Sequence, residues 1–448
     1  MKILHYFLGF PPYRTGGLTA YCIDLMHAQE QAGDKVIALW PGKISFLFCK
    51  KTSIIRRKTL EGIENYEIIN PLPVPLDEGI IDCEHYTKDV NESVYEDFFI
   101  KIAPDIIHIH TLMGLHKEFI NIAKKLNIRV VYTSHDYFGI CPKVTLYRNE
   151  NVCNEDGECR ECIKCNQTAL SLKEIKILQS PLYRIAKNSS LVKKLRHAHR
   201  SNFYRENQLP DLKLPDEELR KKQNEYKMLR TYYVEMLSNI DEIHFNSSIS
   251  KNVYLTHFTP KNSRVISLTR KDIKDNRNIK QKSDETLRII YLATPQTFKG
   301  YKVIVDALDS LWEEGFRNFT LKIYSAVKTN KPYMEVKQNG FTRDELPSIF
   351  NEADILLAPS IWYETFGFTV LEALSYGVPV IVSDNVGSKD IIGEGGIVVT
   401  PGDVNQLKQV IKKLDKNKLQ HLKNGVSNIK IKTMDEHLRE IYKLYTDD

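Results

Sequence analysis

Two glutamates, Glu364 and Glu372, stand eight positions apart in Ser360-Ile361-Trp362-Tyr363-Glu364-Thr365-Phe366-Gly367-Phe368-Thr369-Val370-Leu371-Glu372. An ionised carboxylate accepts two hydroxyl hydrogen bonds at once, which suits the vicinal hydroxyls of a sugar or a ribose. Between the glutamates, Phe366-Gly367-Phe368 reads as a glycine turn that opens an apolar helix. The unpaired N–H groups and positive dipole end of a helix start attract anions, phosphate among them. Gly367 has no side chain, so the backbone there can come close to a ligand. Upstream, the apolar run from Asp354 to Pro359 reads as a buried strand. The order strand, loop, Glu364, turn, helix, Glu372 puts both carboxylates beyond the carboxyl end of a strand, where α/β proteins bind ligands. In isolation such a pair more often solvates a surface helix. The apolar strand end and the Ile-Trp-Tyr trio argue here for a ligand.

The segment resembles the Glu-x7-Glu signature of retaining glycosyltransferases of the GT-B fold, family four of the sequence classification (glycosyl transferases group 1). Leu374-Ser375-Tyr376-Gly377-Val378-Pro379-Val380-Ile381 resembles the continuation of that signature. The resemblance implies a nucleotide-sugar donor, a UDP- or GDP-sugar, and an acceptor hydroxyl in surface polysaccharide or glycolipid synthesis. It implies that Glu364 meets the donor sugar hydroxyls and that Glu372 holds the ribose, with Phe366, Gly367 and Phe368 shaping the turn between them. It further implies front-face transfer with retained configuration and no metal or other cofactor for the transfer step.

Lys299-Gly300 follows a strand and precedes a helix. A lysine at a helix start is unfavourable unless an anion offsets it. In the resembling family, a Gly-Arg and a downstream Lys-Gly place two cations on the diphosphate. Here the lysine is Lys299 and the arginine position is Thr294, which leaves Arg270 and Arg14 as candidates for the second cation. Gly16-Gly17 lies in the first strand-to-helix loop, which in the family approaches donor phosphates and acceptor. His135 follows a strand and falls where the family has a histidine facing the reacting sugar. His108 and His110 alternate on the preceding strand and are expected to point to opposite faces, one lining the cleft and the other packing.

Five of the eight cysteines fall between Cys141 and Cys165: Cys141, Cys153, Cys159, Cys162 and Cys165. Overlapping Cys-x2-Cys pairs without a secretion signal favour metal over disulfides. Four thiolates would bind structural zinc and order a polar loop. Thiols, reduced or disulfide-linked, and an iron–sulfur cluster are the alternatives.

Strands are expected at residues 2–7, 35–39, 105–109 and 129–133, with helices at 19–32 and 118–126 between them. A second alternating series begins at Leu287, with strands at 288–292, 321–324, 355–358, 380–382 and 397–399 and helices at 301–314 and 343–351. Such alternation argues for parallel sheets covered on both faces. At 448 residues the chain exceeds one core. The expected organisation is α/β, two Rossmann-like doubly wound domains facing a central cleft. The N-terminal acceptor domain is read as 1–265, with helical text at 168–238, and the linker as 266–285. The nucleotide-sugar-binding domain is read as 286–425, and 426–448 as a helix packing back on the first domain.

Hydrophobic content of 42% and charged content of 27% suit a globular protein. No run reaches the ~20 apolar residues of a membrane span, so a cytoplasmic protein is expected, in contact with the inner face of the cell membrane at most peripherally. Lys187, Lys193, Lys194, Arg196, Arg200 and Arg205 interleave with Leu178, Tyr183, Ile185, Leu191 and Phe203. That insertion reads as a solvated face or as a dock for anionic lipid carrying the acceptor. A net charge of +6 without a basic–aromatic motif argues against nucleic acid. Neither half carries Gly-x-Gly-x-x-Gly after its first strand, which argues against a dehydrogenase. The rivals are a GT-B nucleotide-sugar epimerase or hydrolase and a non-catalytic sugar-nucleotide-binding scaffold.

Overall fold

The computed structural model describes residues 1–45, 51–148, 150–154, 157–203, 214–277 and 286–446. Two parallel sheets organise it. The first contains β1 (Lys2–Tyr6), β2 (Lys35–Pro41), β3 (Ser53–Arg56), β4 (Glu64–Ile69), β5 (Ile106–Ile109) and β6 (Arg129–Ser134). After a small hairpin of β7 (Tyr147–Arg148) and β8 (Asn151–Val152), it is completed by β9 (Glu242–Phe245) and β10 (Ser263–Val265). Its order is β10-β9-β6-β5-β1-β2-β4-β3, and only the edge strand β3 runs antiparallel. The second sheet contains β11 (Leu287–Tyr291), β12 (Phe319–Ile323), β13 (Met334–Val336), β14 (Ile355–Ala358), β15 (Val380–Ser383) and β16 (Gly396–Val399). Its order is β13-β12-β11-β14-β15-β16, parallel throughout.

The near-continuous apolar text of the central strands follows from burial on both faces. Every residue of β5 is buried, and so are all of β15 and the first three of β14. In each sheet the winding reverses beside its first strand. β1 lies between β2 and β5, and β11 lies between β12 and β14. Ligand crevices form outside the carboxyl ends of strands at such reversals. The loops after β11 and β14 carry Lys299 and Glu364.

The helix Met434–Tyr445 begins with a capping box from Thr433 and Glu436. It packs against helix Gly17–Gln31: Tyr21 meets His437 at 2.8 Å, and Gln29 donates to Tyr445 at 2.9 Å. The helix therefore belongs to the packing of the first sheet. Of the expected linker, residues 278–285 lie outside the described residues. The preceding stretch is anchored: Ile266, Leu268 and Ile273 are buried, and Arg277 donates to the carbonyls of Val426, Ser427 and Ile429.

One expectation is corrected. His108 and His110 do not point to opposite faces. Both are fully buried, and their rings stack at a centroid distance of 4.2 Å. Positions two apart on an extended chain share a face, so the two imidazoles pack together.

Candidate active site

Lys299 ends a short turn, Thr297–Lys299, and Gly300 begins helix Tyr301–Glu313 at φ 78°. A Cβ on Gly300 would lie 2.1 Å from the carbonyl oxygen of Pro359. Only glycine therefore lets the β11 loop press onto the β14 loop. Ile361 N–H seals the contact by donating to Phe298 O at 2.8 Å. Across this seam the Lys299 ammonium reaches the Glu364 carboxylate at 2.8 Å. It also sits 4.6 Å from the centre of the Trp362 ring. Ser360 Oγ donates to the second Glu364 oxygen at 2.7 Å. Burial pushes the Glu364 carboxyl up, but Lys299 and Ser360 outweigh it, and it lies below the ordinary glutamate value. The site thus holds an ionised carboxylate and an ammonium together in a part-buried place. The Trp362 indole nitrogen is buried beside them and adds to the hold on the Glu364 carboxylate.

Gly367 takes φ 95° and leads into helix Phe368–Ser375. Phe366 is buried edge-on to Phe368, with ring centres 5.3 Å apart. Glu372 lies in the second turn, buried, and accepts from Arg343 at 2.9 Å. Arg343 also pairs with Asp272. Burial raises the Glu372 carboxyl above its ordinary value even though Arg343 and Arg270 oppose the shift. The guanidinium of Arg270 lies 5.8 Å from the Phe368 ring centre, at the start of the same helix. Arg14 is held by Tyr13, stacking at 4.4 Å and donating to its hydroxyl at 3.0 Å. Thr294 is exposed, and its hydroxyl bonds Gln296 at 3.2 Å rather than turning to the Lys299–Glu364 pair.

The first domain closes on this loop. Thr365 Oγ1 donates to His135 O at 3.0 Å, and Ser247 Oγ donates to Thr365 O at 2.6 Å. Ser248 clasps Asp390 through its N–H and its hydroxyl, each at 2.6 Å. A Cβ on Gly17 would sit 3.5 Å from the Phe368 ring, so the Gly16-Gly17 loop faces the helix that carries Glu372. His135, partly exposed, thus sits one residue across from Glu364. Burial holds its imidazole down at about 3, neutral at ordinary pH. The adjacent Asp136 is pushed up by burial to about 6, against the pull of the Phe138 N–H.

Sequence reasoning missed Ser360 and Arg343 as parts of this site, and it used Trp362 only as one of an apolar trio without giving it a role. Arg343 had a usable signal: it opens a helical run, the same unfavourable place for a cation that singles out Lys299. Ser360 had none, because a serine four residues before a glutamate is unremarkable until the loop folds.

In the cysteine-rich segment, the Cys159 and Cys162 thiols hydrogen-bond, and that bond together with burial raises the Cys162 thiol well above its ordinary value. Cys141 is near enough to add to the shift, and Arg230 Nη2 lies 3.9 Å from Cys162 Sγ. Two further nitrogens of Arg230 are buried without hydrogen-bond partners. The residues between Cys153 and Cys159 are described only in part.

Residues 286–417 match the model of a family described as glycosyl transferases group 1. O-antigen chain mannosyltransferase B of Escherichia coli is 37% identical over 73 residues, 16% of this chain and 19% of that protein. Sucrose-phosphate synthase 4 of Arabidopsis thaliana is 33% identical over 108 residues, 22% of this chain and 10% of that protein. The matched segments therefore span a fifth or less of these two relatives. Solved structures align along nearly the whole chain. Sucrose-phosphate synthase from Thermosynechococcus elongatus superposes with a TM-score of 0.54 at 14% identity, covering 99% of this chain and 98% of that one. HepE from Anabaena, in complex with UDP and glucose, gives 0.55 at 14% identity, covering 99% of both chains. The chain has the GT-B fold, and its residues 286–417 match the group 1 glycosyl transferases.

Proposed function

We propose that the protein is a retaining glycosyltransferase that moves a sugar from a UDP- or GDP-sugar to an acceptor hydroxyl in surface polysaccharide or glycolipid synthesis. The observation that carries this reading is the Lys299–Glu364 pair, 2.8 Å apart at the sheet reversal of the second domain. In this reading Lys299 neutralises charge building on the departing diphosphate, and Arg270 supplies the second cation that Thr294 does not. Fixed charge aimed at a developing anion is a large catalytic term. Glu364 accepts hydroxyls of the donor sugar, and Glu372 accepts those of the ribose. The N–H groups opening helix Phe368–Ser375 meet phosphate oxygens, and His135 meets the sugar from the first domain. The segment match to a mannosyltransferase and the fold shared with a UDP-bound protein support a nucleotide-sugar donor. The experiment is to measure nucleoside diphosphate release from UDP- and GDP-sugars with and without lipid-linked or oligosaccharide acceptors. Release and glycosyl product that both require acceptor support the reading. Donor consumption without acceptor favours an epimerase or hydrolase, and donor binding without turnover favours a scaffold.

Two partner proposals attach to it. Four of the five cysteines bind structural zinc, and their thiolates would sit beside the part-buried Arg230 guanidinium, for which no counter-charge is seen among the described residues. Elemental analysis of purified protein finding neither zinc nor iron would remove that proposal. The helices Leu172–Leu178, Pro181–Ala186 and Ser190–Phe203 dock on anionic lipid at the inner face of the cell membrane. They leave Ile177, Leu182, Ile185, Leu191 and Leu195 exposed, each by more than half, beside exposed Lys193 and Lys194. Arg205 and the side chains of Arg200 and Phe203 lie outside the described residues. No helix among the described residues is long and apolar enough to cross a membrane. Absence of binding to anionic vesicles at low salt would remove this second proposal.

A further inference from the structure

A chain of eight hydrogen bonds runs from the cleft to the crossover between the domains. His135 Nε2 meets His110 Nδ1 at 3.2 Å, and His110 Nε2 meets His5 Nδ1 at 3.0 Å. His5 Nε2 meets Gln29 Oε1 at 2.7 Å, and Gln29 Nε2 meets the Tyr445 hydroxyl at 2.9 Å. Tyr445 meets His108 Nδ1 at 2.7 Å, and His108 Nε2 meets Thr133 Oγ1 at 2.7 Å. Thr133 Oγ1 meets His244 Nδ1 at 2.9 Å, and His244 Nε2 meets the carbonyl oxygen of Ile266 at 2.7 Å. Apart from His135, every side chain in the chain is buried.

The far end fixes the direction of every bond. A carbonyl oxygen only accepts, so His244 carries its proton on Nε2. Burial keeps His244 and His5 down at about 4, and His108 and His110 well below the ordinary value, so each ring is neutral with one N–H. His244 Nδ1 must then accept from Thr133. Thr133 has spent its one proton, so it accepts from His108 Nε2. His108 Nδ1 accepts from Tyr445, whose oxygen in turn must accept from the Gln29 amide. That sets the amide orientation, so Gln29 Oε1 accepts from His5 Nε2. His5 Nδ1 accepts from His110 Nε2, and His110 Nδ1 accepts from His135 Nε2. The three rings His5, His108 and His110 also bring ligand atoms within 4.8 Å of one another. All six of their ring nitrogens already have hydrogen-bond partners, so the relay leaves no lone pair for a metal.

We propose that this relay fixes the tautomer of His135, with Tyr445 as the positioning residue that joins its two halves. His135, partly exposed and held at its carbonyl by the Glu364 loop, carries its proton on Nε2 and keeps a bare Nδ1. The cleft histidine is thereby an acceptor: it takes a hydroxyl or N–H of a ligand and rejects a carboxylate or phosphate oxygen. That the ligand hydroxyl belongs to a sugar rests on the proposed function; the tautomer does not. Removing the Tyr445 hydroxyl frees the Gln29 amide to turn over, which makes the opposite polarity available all the way to His135. Removing the Thr133 hydroxyl does the same from the other side, by letting His108 turn its proton toward Tyr445.

The test uses long-range proton–nitrogen correlation spectra of the full-length protein labelled at histidine nitrogens, without ligand, at neutral pH. The His135 signals are assigned by their loss in His135→Gln. The wild type is expected to show one His135 tautomer, protonated on Nε2. Tyr445→Phe and Thr133→Val, each alone, are expected to show both tautomers. A wild-type His135 protonated on Nδ1, or a single unchanged tautomer in either folded variant, overturns the proposal. Thr133→Val carries the test if Tyr445→Phe does not fold. No turnover is measured, so failure of the transferase reading and failure of the relay are read separately.

Discussion

Burial pushes the Glu364 carboxyl toward its protonated form, and Lys299 is the largest influence that holds it the other way. Each group depends on the other until a ligand takes one of them. Lys299→Ala or Glu364→Ala is therefore expected to cut glycosyl transfer at least ~100-fold, the scale of losing one electrostatic stabiliser. Near-normal rates in either variant would contradict the assigned roles. The pH profile sharpens the point. With Lys299 present the Glu364 carboxyl lies below its ordinary value, so its ionised form persists as pH falls toward that lower value. In Lys299→Ala burial is less opposed and the carboxyl rises. Donor binding in that variant is expected to fade at a higher pH than in the wild type as acid is added. At this scale the sequence was legible where a residue stood in an electrostatically awkward place, as Lys299 does. It was not legible for Ser360, which matters only once the loop folds back on itself, and for Trp362 it showed a place in the loop but no partner.

The elements that hold these residues meet through backbone rather than through long side chains. Gly300 is the hinge of that contact, at φ 78° with Pro359 O in the space its Cβ would fill. Gly300→Ala is expected to destabilise the protein by at least ~1–3 kcal/mol, from the left-handed backbone and the clash together. It should also weaken transfer, because it moves Lys299 away from Glu364. Denaturant melts and rates on the same variant check both, and an unchanged midpoint would show that the two loops are not seated as described. The expected strands match β1, β2, β5, β6, β11, β12, β14, β15 and β16 to within about two residues at each end; the central ones among them, such as β5 and β15, are buried on both faces and announce themselves as apolar runs. β3, β4 and helix Ser93–Ile102 were missed. Glu64-Asn65-Tyr66-Glu67-Ile68-Ile69 breaks its apolar pattern with Asn65 and Glu67, both buried and satisfied by partners distant in sequence or by loop carbonyls. Glu67 binds Arg57 at 2.5 Å and Arg184 at 2.7 Å, and Asn65 donates to Lys58 O at 2.6 Å. A sequence pattern cannot reveal partners that only the fold supplies.

Across the whole molecule, the most consequential burial is that of five histidines, His5, His108, His110, His244 and His437, in one interior region between the first sheet and helix Met434–Tyr445. Burial lowers all five below the ordinary value. Unfolded, they bind protons below about pH 6.5; folded, they do not until far lower. The unfolded state therefore gains protons as pH falls, and stability drops by about 1.4 kcal/mol per pH unit for each histidine so titrated. Thermal melts are expected to hold steady above about pH 7 and to fall steeply between about 6.5 and 4. A melting temperature unchanged down to pH 4 would mean that the histidines are not buried together. His110 also closes the link from this interior region to His135, so the packing of the first domain and the chemistry of the cleft share one structure. The two-sheet architecture was legible because alternation of strand and helix is a long-range pattern. The histidine interior was not, because its members lie as far apart in sequence as His5 and His437. The measurement that tests the central claim most directly is a thermal-shift comparison of wild type and Lys299→Ala with UDP, GDP, ADP and their sugar conjugates. At a hundred times its dissociation constant a ligand adds about 2.7 kcal/mol of stability. The expected result is a clear shift of the wild type with one base, lost or much reduced in Lys299→Ala. No shift with any nucleotide, or an equal shift in both proteins, would contradict a nucleotide-sugar site built on Lys299 and Glu364.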